Sequence, residues 1–269
     1  MAIAIFRFYH TNYFTMTSVR LATNTTKIGV RRTLSTCTTQ YSTPTPPLYP
    51  GHIPTSPLQK IILGAGSAVA ALSDPWRADM VAVNGEVTGL PALQFMHSKM
   101  VTSKEGSRIL SDCPRITSSV LPDLHKLPSN TLGYQYAVFM ERNKISPDTR
   151  DQVTFVDDPV LAYVMTRYRE THDLTHCILG MKTNMVGEVL VKWVEAIQFR
   201  LPMCVGGAIF GPLRFQPRQR QKYEELLPWA VKTGQGASFL LNIYYEERWE
   251  QDMGQLRKEM GITLPPQNL

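Results

Sequence analysis

Two histidines four residues apart, His172 and His176, are the side chains in this 269-residue sequence whose types and spacing first suggest chemistry. At 3.6 residues per turn they share one helix face and can aim both imidazoles at a single metal ion. Leu161, Met165, Tyr168 and Leu179 fall on nearly the same face, so the rings continue an apolar stripe and point inward. Asp173 is one step round the helix and could add an oxygen ligand from the side. Glu188 follows His176 by twelve residues. On one unbroken helix it would sit about 18 Å further along the axis, too far to share an ion. Gly180, Asn184 and Gly187 supply breaks at which the chain can turn, and Glu188 can then fold back from the next helix. Neutral imidazoles with carboxylates suit zinc first, with other divalent metals allowed. The alternative for the histidine pair is two core rings held by hydrogen bonds.

The elements that must position these residues are helical. A hydroxyl or carboxylate residue precedes proline at Ser56-Pro57, Asp74-Pro75, Ser146-Pro147 and Asp158-Pro159. That is an N-cap followed by proline at the first helical position, where the missing N–H costs nothing. Thr102 with Glu105 offers a capping box. The spacing predicts helices near 57–72, 75–83, 91–101, 103–111, 130–142, 158–179, 188–199, 219–231 and 236–260. Alternating strand patterns are scarce, and 152–156 is the best of them. The expected fold is one all-α domain, with α+β and a small hairpin as the fallback. Cys177 and Cys204 read as packing residues, as do Trp193, Trp229 and Trp249. Trp249 with Tyr244 and Tyr245 could instead mark a membrane-facing edge.

The chain carries a formal charge of +6, and the excess is N-terminal. Residues 1–73 hold six basic residues and no acidic one, whereas 74–269 balance at 22 of each. Nucleic-acid binding loses its support, because the folded part has no basic excess. The first fifty residues are also rich in Ser and Thr, which is the composition of a mitochondrial transit peptide. Arg32-Thr33-Leu34-Ser35 looks like a processing site, with cleavage after Leu34. The expected organisation is a transit peptide over 1–34, a Pro/Thr-rich linker over 35–55 and a helical domain over 56–269. No apolar run reaches the roughly 18 residues of a membrane span. The segment 201–213 is apolar and rich in glycine. It could dip into a membrane interface, or form a buried connection.

The string HDLTH, eleven residues, then Glu188 resembles the HDxxH-x11-E zinc motif of a mitochondrial ubiquinone (coenzyme Q) biosynthesis family. The resemblance continues upstream through GEVTGL (85–90), LGYQY (132–136), SPDTR (146–150) and AYVMTRYRE (162–170). Downstream it runs through GEVLVKWVE (187–195), LPMC (201–204), LPWA (227–230) and YYE (244–246), and overall it covers roughly 55–264. It implies that His172, Asp173, His176 and Glu188 hold Zn2+. It implies a helical domain with an apolar lipid-tail pocket beside the metal site. The implied reaction is a lyase step: C1 decarboxylation of 4-hydroxy-3-methoxy-5-polyprenylbenzoate to 2-methoxy-6-polyprenylphenol and CO2. The implied setting is peripheral, on the matrix side of the mitochondrial inner membrane. There the chain would join other enzymes of the ubiquinone-synthesis complex, and a homodimer is allowed.

Decarboxylation requires a proton at the ring carbon that loses CO2, so an acid must stand nearby. With Glu188 on the metal, Glu170 and Glu195 are the candidates. Glu195 lies two turns after Glu188 on nearly the same face, but its plainer reading is a surface partner of Lys192. Arg167 and Arg169 could clamp a substrate carboxylate or an anionic headgroup, or form exposed salt bridges. The rival account is a non-catalytic, lipid-binding scaffold with structural zinc. A metal-dependent hydrolase rests on the His-Asp doublet alone.

Overall fold

The computed structural model describes residues 46–74 and 77–266. Ten α-helices occupy them: α1 (Pro57–Ser73), α2 (Ala78–Thr88), α3 (Leu90–Val101), α4 (Lys104–Asp112), α5 (Leu132–Asn143), α6 (Pro159–Leu179), α7 (Met185–Phe199), α8 (Pro202–Phe210), α9 (Pro217–Gly236) and α10 (Met253–Glu259). Short 3-10 turns join several of them. Among the described residues there is no strand, so the fold is all-α. The only ladder-like contact is an isolated bridge between Thr131 and Asp252. The proposed transit peptide (1–34), its processing site and Pro75 lie outside the described residues.

The middle of the bundle is α6. Asp158 caps it by accepting from the N–H groups of Val160 and Leu161, and Pro159 opens it. Sixteen of its 21 residues are buried, so neighbours cover it on every side. α3, α5 and α7 pack against it, α8 and α9 against α7, and α1 against α2. Gly180 ends α6 in the left-handed region at φ +67°, its N–H bonded to the Cys177 carbonyl. Asn184 then caps α7 through the Gly187 N–H.

Several expectations change. The Ser56 and Asp158 caps form as expected, but Ser146 caps only a 3-10 turn. Asp74 closes α1 rather than opening α2. Ser103, not Thr102, caps α4, because the Glu105 carboxylate is drawn away to Arg248 and the Tyr244 N–H. The single helix expected over 236–260 is broken into 3-10 turns and α10. Tertiary partners take its backbone groups: Gln198 accepts the Leu240 N–H, Arg167 donates to the Ile243 carbonyl, and the Trp249 carbonyl accepts from Gly133. α8 is an unanticipated helix in the glycine-rich stretch. Its Gly207 lets it lie against the Lys192 side chain of α7.

The segment 152–156 is extended but pairs with no strand. Its Thr154 and Phe155 N–H groups donate to the buried Glu86 carboxylate of α2. The described end of the 35–55 linker is docked rather than free. Tyr49 donates to the Val156 carbonyl, the Ile53 N–H bonds the Thr154 carbonyl, and His52 is buried beside Asp157.

Candidate metal centre

α6 and α7 meet through the turn at 180–184, and this turn brings the distant carboxylate to the histidines. Ligand atoms of His172, His176 and Glu188 all lie within 4.8 Å of one another. Glu188 Oε2 is 3.6 Å from His172 Nε2, and its Oε1 is 3.4 Å from His176 Nε2. The two rings stand at 88° with centroids 4.9 Å apart.

Each histidine is held from behind through its other nitrogen. His176 Nδ1 lies 3.3 Å from the Met181 carbonyl, a geometry that makes Nδ1 the donor. His172 Nδ1 lies 2.6 Å from Glu195 Oε1. Both Nε2 atoms therefore face Glu188 as lone-pair donors. His176 Nε2 is fully buried and has no hydrogen-bond partner. A buried polar atom left unpaired is costly, and a ligand that accepts its lone pair removes that cost. The trio thus fits a divalent cation, by donor type and by this orphaned nitrogen.

Without an ion, the cluster is held by its own charges. Partial burial would raise the Glu188 carboxyl, but the His176 and His172 rings outweigh it and hold it well below the usual carboxylate range. Burial works against a charged His172, yet Glu195 and Glu188 raise its pKa. Burial works against the Glu195 carboxylate too, and His172 and Lys192 override it and keep it ionised.

The other sequence candidates are placed elsewhere. Asp173 lies outside the trio, its carboxylate bonded to the Arg150 guanidinium. Glu170 accepts from Arg115 and from the Ile116 N–H, so it offers no free acid to the cluster. Glu195 does pair with Lys192 Nζ at 2.6 Å, but it is fully buried rather than on the surface. As an ionised carboxylate bonded to His172, it has no proton to give. Arg167 and Arg169 are neither clamps nor exposed pairs. Arg167 is fully buried on Glu246 and the Ile243 carbonyl, and Arg169 is buried on Glu86. Tyr244 and Tyr245 are buried, as is Trp249, which stacks on Tyr136; none forms a membrane-facing edge.

Sequence reasoning missed Lys192 and Tyr168 as members of the site. Tyr168 donates to Glu195 at 2.9 Å, and Lys192 reaches both. The signal was available: Tyr168 is one turn before His172, and Lys192 lies between Glu188 and Glu195 on one face of α7.

A sequence profile described as "Coenzyme Q (ubiquinone) biosynthesis protein Coq4" matches residues 49–266. A mitochondrial ubiquinone biosynthesis protein COQ4 homolog of Aedes aegypti is 59% identical over 210 residues, covering 77% of each chain. The Mus musculus homolog is 53% identical over 82% of this chain and 85% of its own. The Homo sapiens homolog is 52% identical over 83% of this chain and 85% of its own. A crystal structure from Nostoc punctiforme, of a protein provisionally assigned to ubiquinone biosynthesis, shares the fold. Its TM-score is 0.61 at 21% identity, covering 75% of this chain and 97% of that one. With the profile running from Tyr49 to Pro266 and relatives more than half identical over three quarters or more of its length, this chain belongs to the coenzyme Q (ubiquinone) biosynthesis protein Coq4 family.

Proposed function

We propose that the protein acts in mitochondrial ubiquinone biosynthesis as a metal-dependent decarboxylase. It would remove the ring carboxyl of 4-hydroxy-3-methoxy-5-polyprenylbenzoate, giving 2-methoxy-6-polyprenylphenol and CO2. The observation that carries this reading is the trio of His172, His176 and Glu188, with the orphaned His176 Nε2 inside it. Zinc is the first choice by donor type. Held there, a divalent ion would supply Lewis acidity toward a carboxylate or phenolate oxygen.

The chain's own residues supply the rest. Three protein ligands leave a coordination position open, as catalytic zinc sites do and closed structural sites do not. The Glu188 side chain is 38% exposed, so the trio opens toward solvent on its side. Lys192, one turn along α7, carries an ammonium that balances the Glu195 carboxylate behind His172. Breaking the ring–carboxyl bond leaves its electron pair on the ring carbon, which takes a proton. Neither Glu170 nor Glu195 is free to give it, so the proton would come from the Lys192 ammonium or from solvent at the open side.

The apolar tail and the membrane setting find support on the surface. α1 exposes Leu58, Ile61, Ile62 and Val69, and α8 with the following turn exposes Val205, Ile209, Phe210 and Leu213. Both helices pack on α2. No described helix is long and apolar enough to cross a membrane. The attachment we propose, through these exposed faces to the matrix side of the inner membrane, is peripheral. The same exposed faces favour the second reading, a lipid-presenting scaffold within a ubiquinone-synthesis assembly.

The test supplies the protein from residue 35 onward with zinc and the prenylated acid. The expected result is CO2 release that falls at least a hundredfold in His172→Ala and Glu188→Ala protein. Release that is unchanged in both would sink the metal-catalytic account. Substrate binding and partner co-purification without release would favour the scaffold.

A further inference from the structure

We infer that the carboxylate completing the metal centre is Glu195, acting through His172, and that Asp173 of the HDxxH motif is an anchor for Arg150 rather than a metal ligand. The inference rests on the reading that the trio binds a divalent ion.

Geometry separates the two acids. Asp173 is one residue beyond His172, about 100° round the helix. Its carboxylate is bonded to Arg150 Nη2 and is not among the ligand atoms that cluster at Glu188. The Arg150 side chain is only 26% exposed and that of Asp173 11%. Moving Asp173 to the metal would strip the guanidinium of this carboxylate while it stays mostly covered, which is strongly disfavoured. Arg150 follows the 3-10 turn at Pro147–Thr149, so this contact ties the segment after α5 to the middle of α6.

Glu195 is committed in the opposite direction. Its Oε1 lies 2.6 Å from His172 Nδ1, and its Oε2 accepts from Tyr168 and Lys192. All of it is buried. A carboxylate fixed by two donors, neither of them the histidine, fixes the ring in turn. It selects the form with the proton on Nδ1 and the lone pair on Nε2, aimed at Glu188. Carboxylate–histidine–metal relays of this kind orient the ligand and raise its basicity. The Met181 carbonyl does the same for His176. Both rings are therefore preset before any ion arrives, and neither needs Asp173.

Zinc titration of the metal-free protein against a chromogenic chelator tests this. Asp173→Asn should bind within about threefold of wild type, with its defect confined to melting temperature. Glu188→Gln should lose binding, and Glu195→Gln should weaken it about 10–100-fold. Because Glu195→Gln leaves the Lys192 ammonium unpaired, Lys192→Met with Glu195→Leu removes both charges and should show the same loss while folded. Zinc-loaded wild type should also show a slowly exchanging His172 Nδ1 proton by nitrogen-15 NMR, and the double variant should lack it.

Asp173→Asn losing zinc as fully as Glu188→Gln overturns the inference, as do Glu195 variants that bind like wild type or a missing Nδ1 proton. Wild type that binds no divalent ion overturns both this and the metal reading. The expected order of affinities without CO2 release keeps this inference and removes only the decarboxylase.

Discussion

At the scale of single residues, Glu195 links acidity to stability in the metal-free protein. Burial alone would raise its carboxyl, but His172 and Lys192 hold it well below the usual range. A depressed carboxylate stabilises the fold above its unfolded pKa and loses that contribution as pH falls through the folded value. His172 runs the other way. Its raised pKa gives a contribution that is complete below the unfolded value and lost as pH rises through the folded one. The two overlap between roughly pH 4.3 and 6.5, the unfolded values of Glu and His. The melting-temperature advantage of metal-free wild type over the Lys192→Met/Glu195→Leu variant should peak in that window and shrink on both sides. A flat difference from pH 3 to 9 would contradict the coupling. His172, His176 and Glu188 were legible from spacing, because helical period and a glycine-marked turn dictate who can meet whom. The partners of Arg167, Arg169 and Asp173 were not. Those partners lie 79, 83 and 23 residues away, and nothing local announces them.

At the scale of elements, the turn between α6 and α7 sets the distance between histidines and carboxylate. A Cβ on Gly187 would stand 1.9 Å from the Lys182 carbonyl oxygen, which is backbone and cannot swing aside. Gly187→Ala should therefore cost about 1–3 kcal/mol and lower the melting temperature by roughly 2–12 °C. It should also weaken zinc binding, since Glu188 is the next residue. Unchanged affinity and melting would show that the turn yields freely. The N-caps of α1 and α6 could be read from Ser56 and Asp158, because capping is local chemistry; Asn184 read only as a break, and it caps α7. The break-up of 236–260 could not, because Gln198, Arg167 and Gly133 come from other parts of the fold to take its backbone groups. α8 escaped notice for a related reason. Glycine at 206, 207 and 211 argues against a helix in isolation, and only the close approach of Lys192 and Val189 of α7 makes a small residue useful at 207 and 211.

At the scale of the whole molecule, charge that balances over residues 74–269 is locally uneven. No acid occurs between Glu195 and Glu224, while Arg200, Arg214, Arg218, Arg220 and Lys222 all do. Arg214, Arg218 and Arg220 are exposed, close in sequence to exposed Ile209, Phe210 and Leu213. Apolar side chains beside cations suit an anionic bilayer surface, each cation adding about 1 kcal/mol near it. The protein should float with anionic vesicles, and Ile209→Glu with Phe210→Glu should reduce the bound fraction at least tenfold. High salt should weaken the wild-type interaction. Equal flotation with neutral vesicles would assign the surface to something other than lipid charge. The all-helical class was readable from pattern alone. The shape of this surface was not: 201–213 read equally as an interface segment or a buried connection, and only the packing leaves apolar side chains of α1 and α8 uncovered.

The Arg167–Glu246 pair has a consequence in time as well as in space. The guanidinium sits at the centre of the fold, fully covered, and the carboxylate that balances it arrives 79 residues later. Until that part of the chain has been made, α6 cannot settle among its neighbours without stranding a charge. The histidines ride on the same helix. The face of α6 that carries His172 and His176 should therefore be finished only after the C-terminal segment has closed on Arg167.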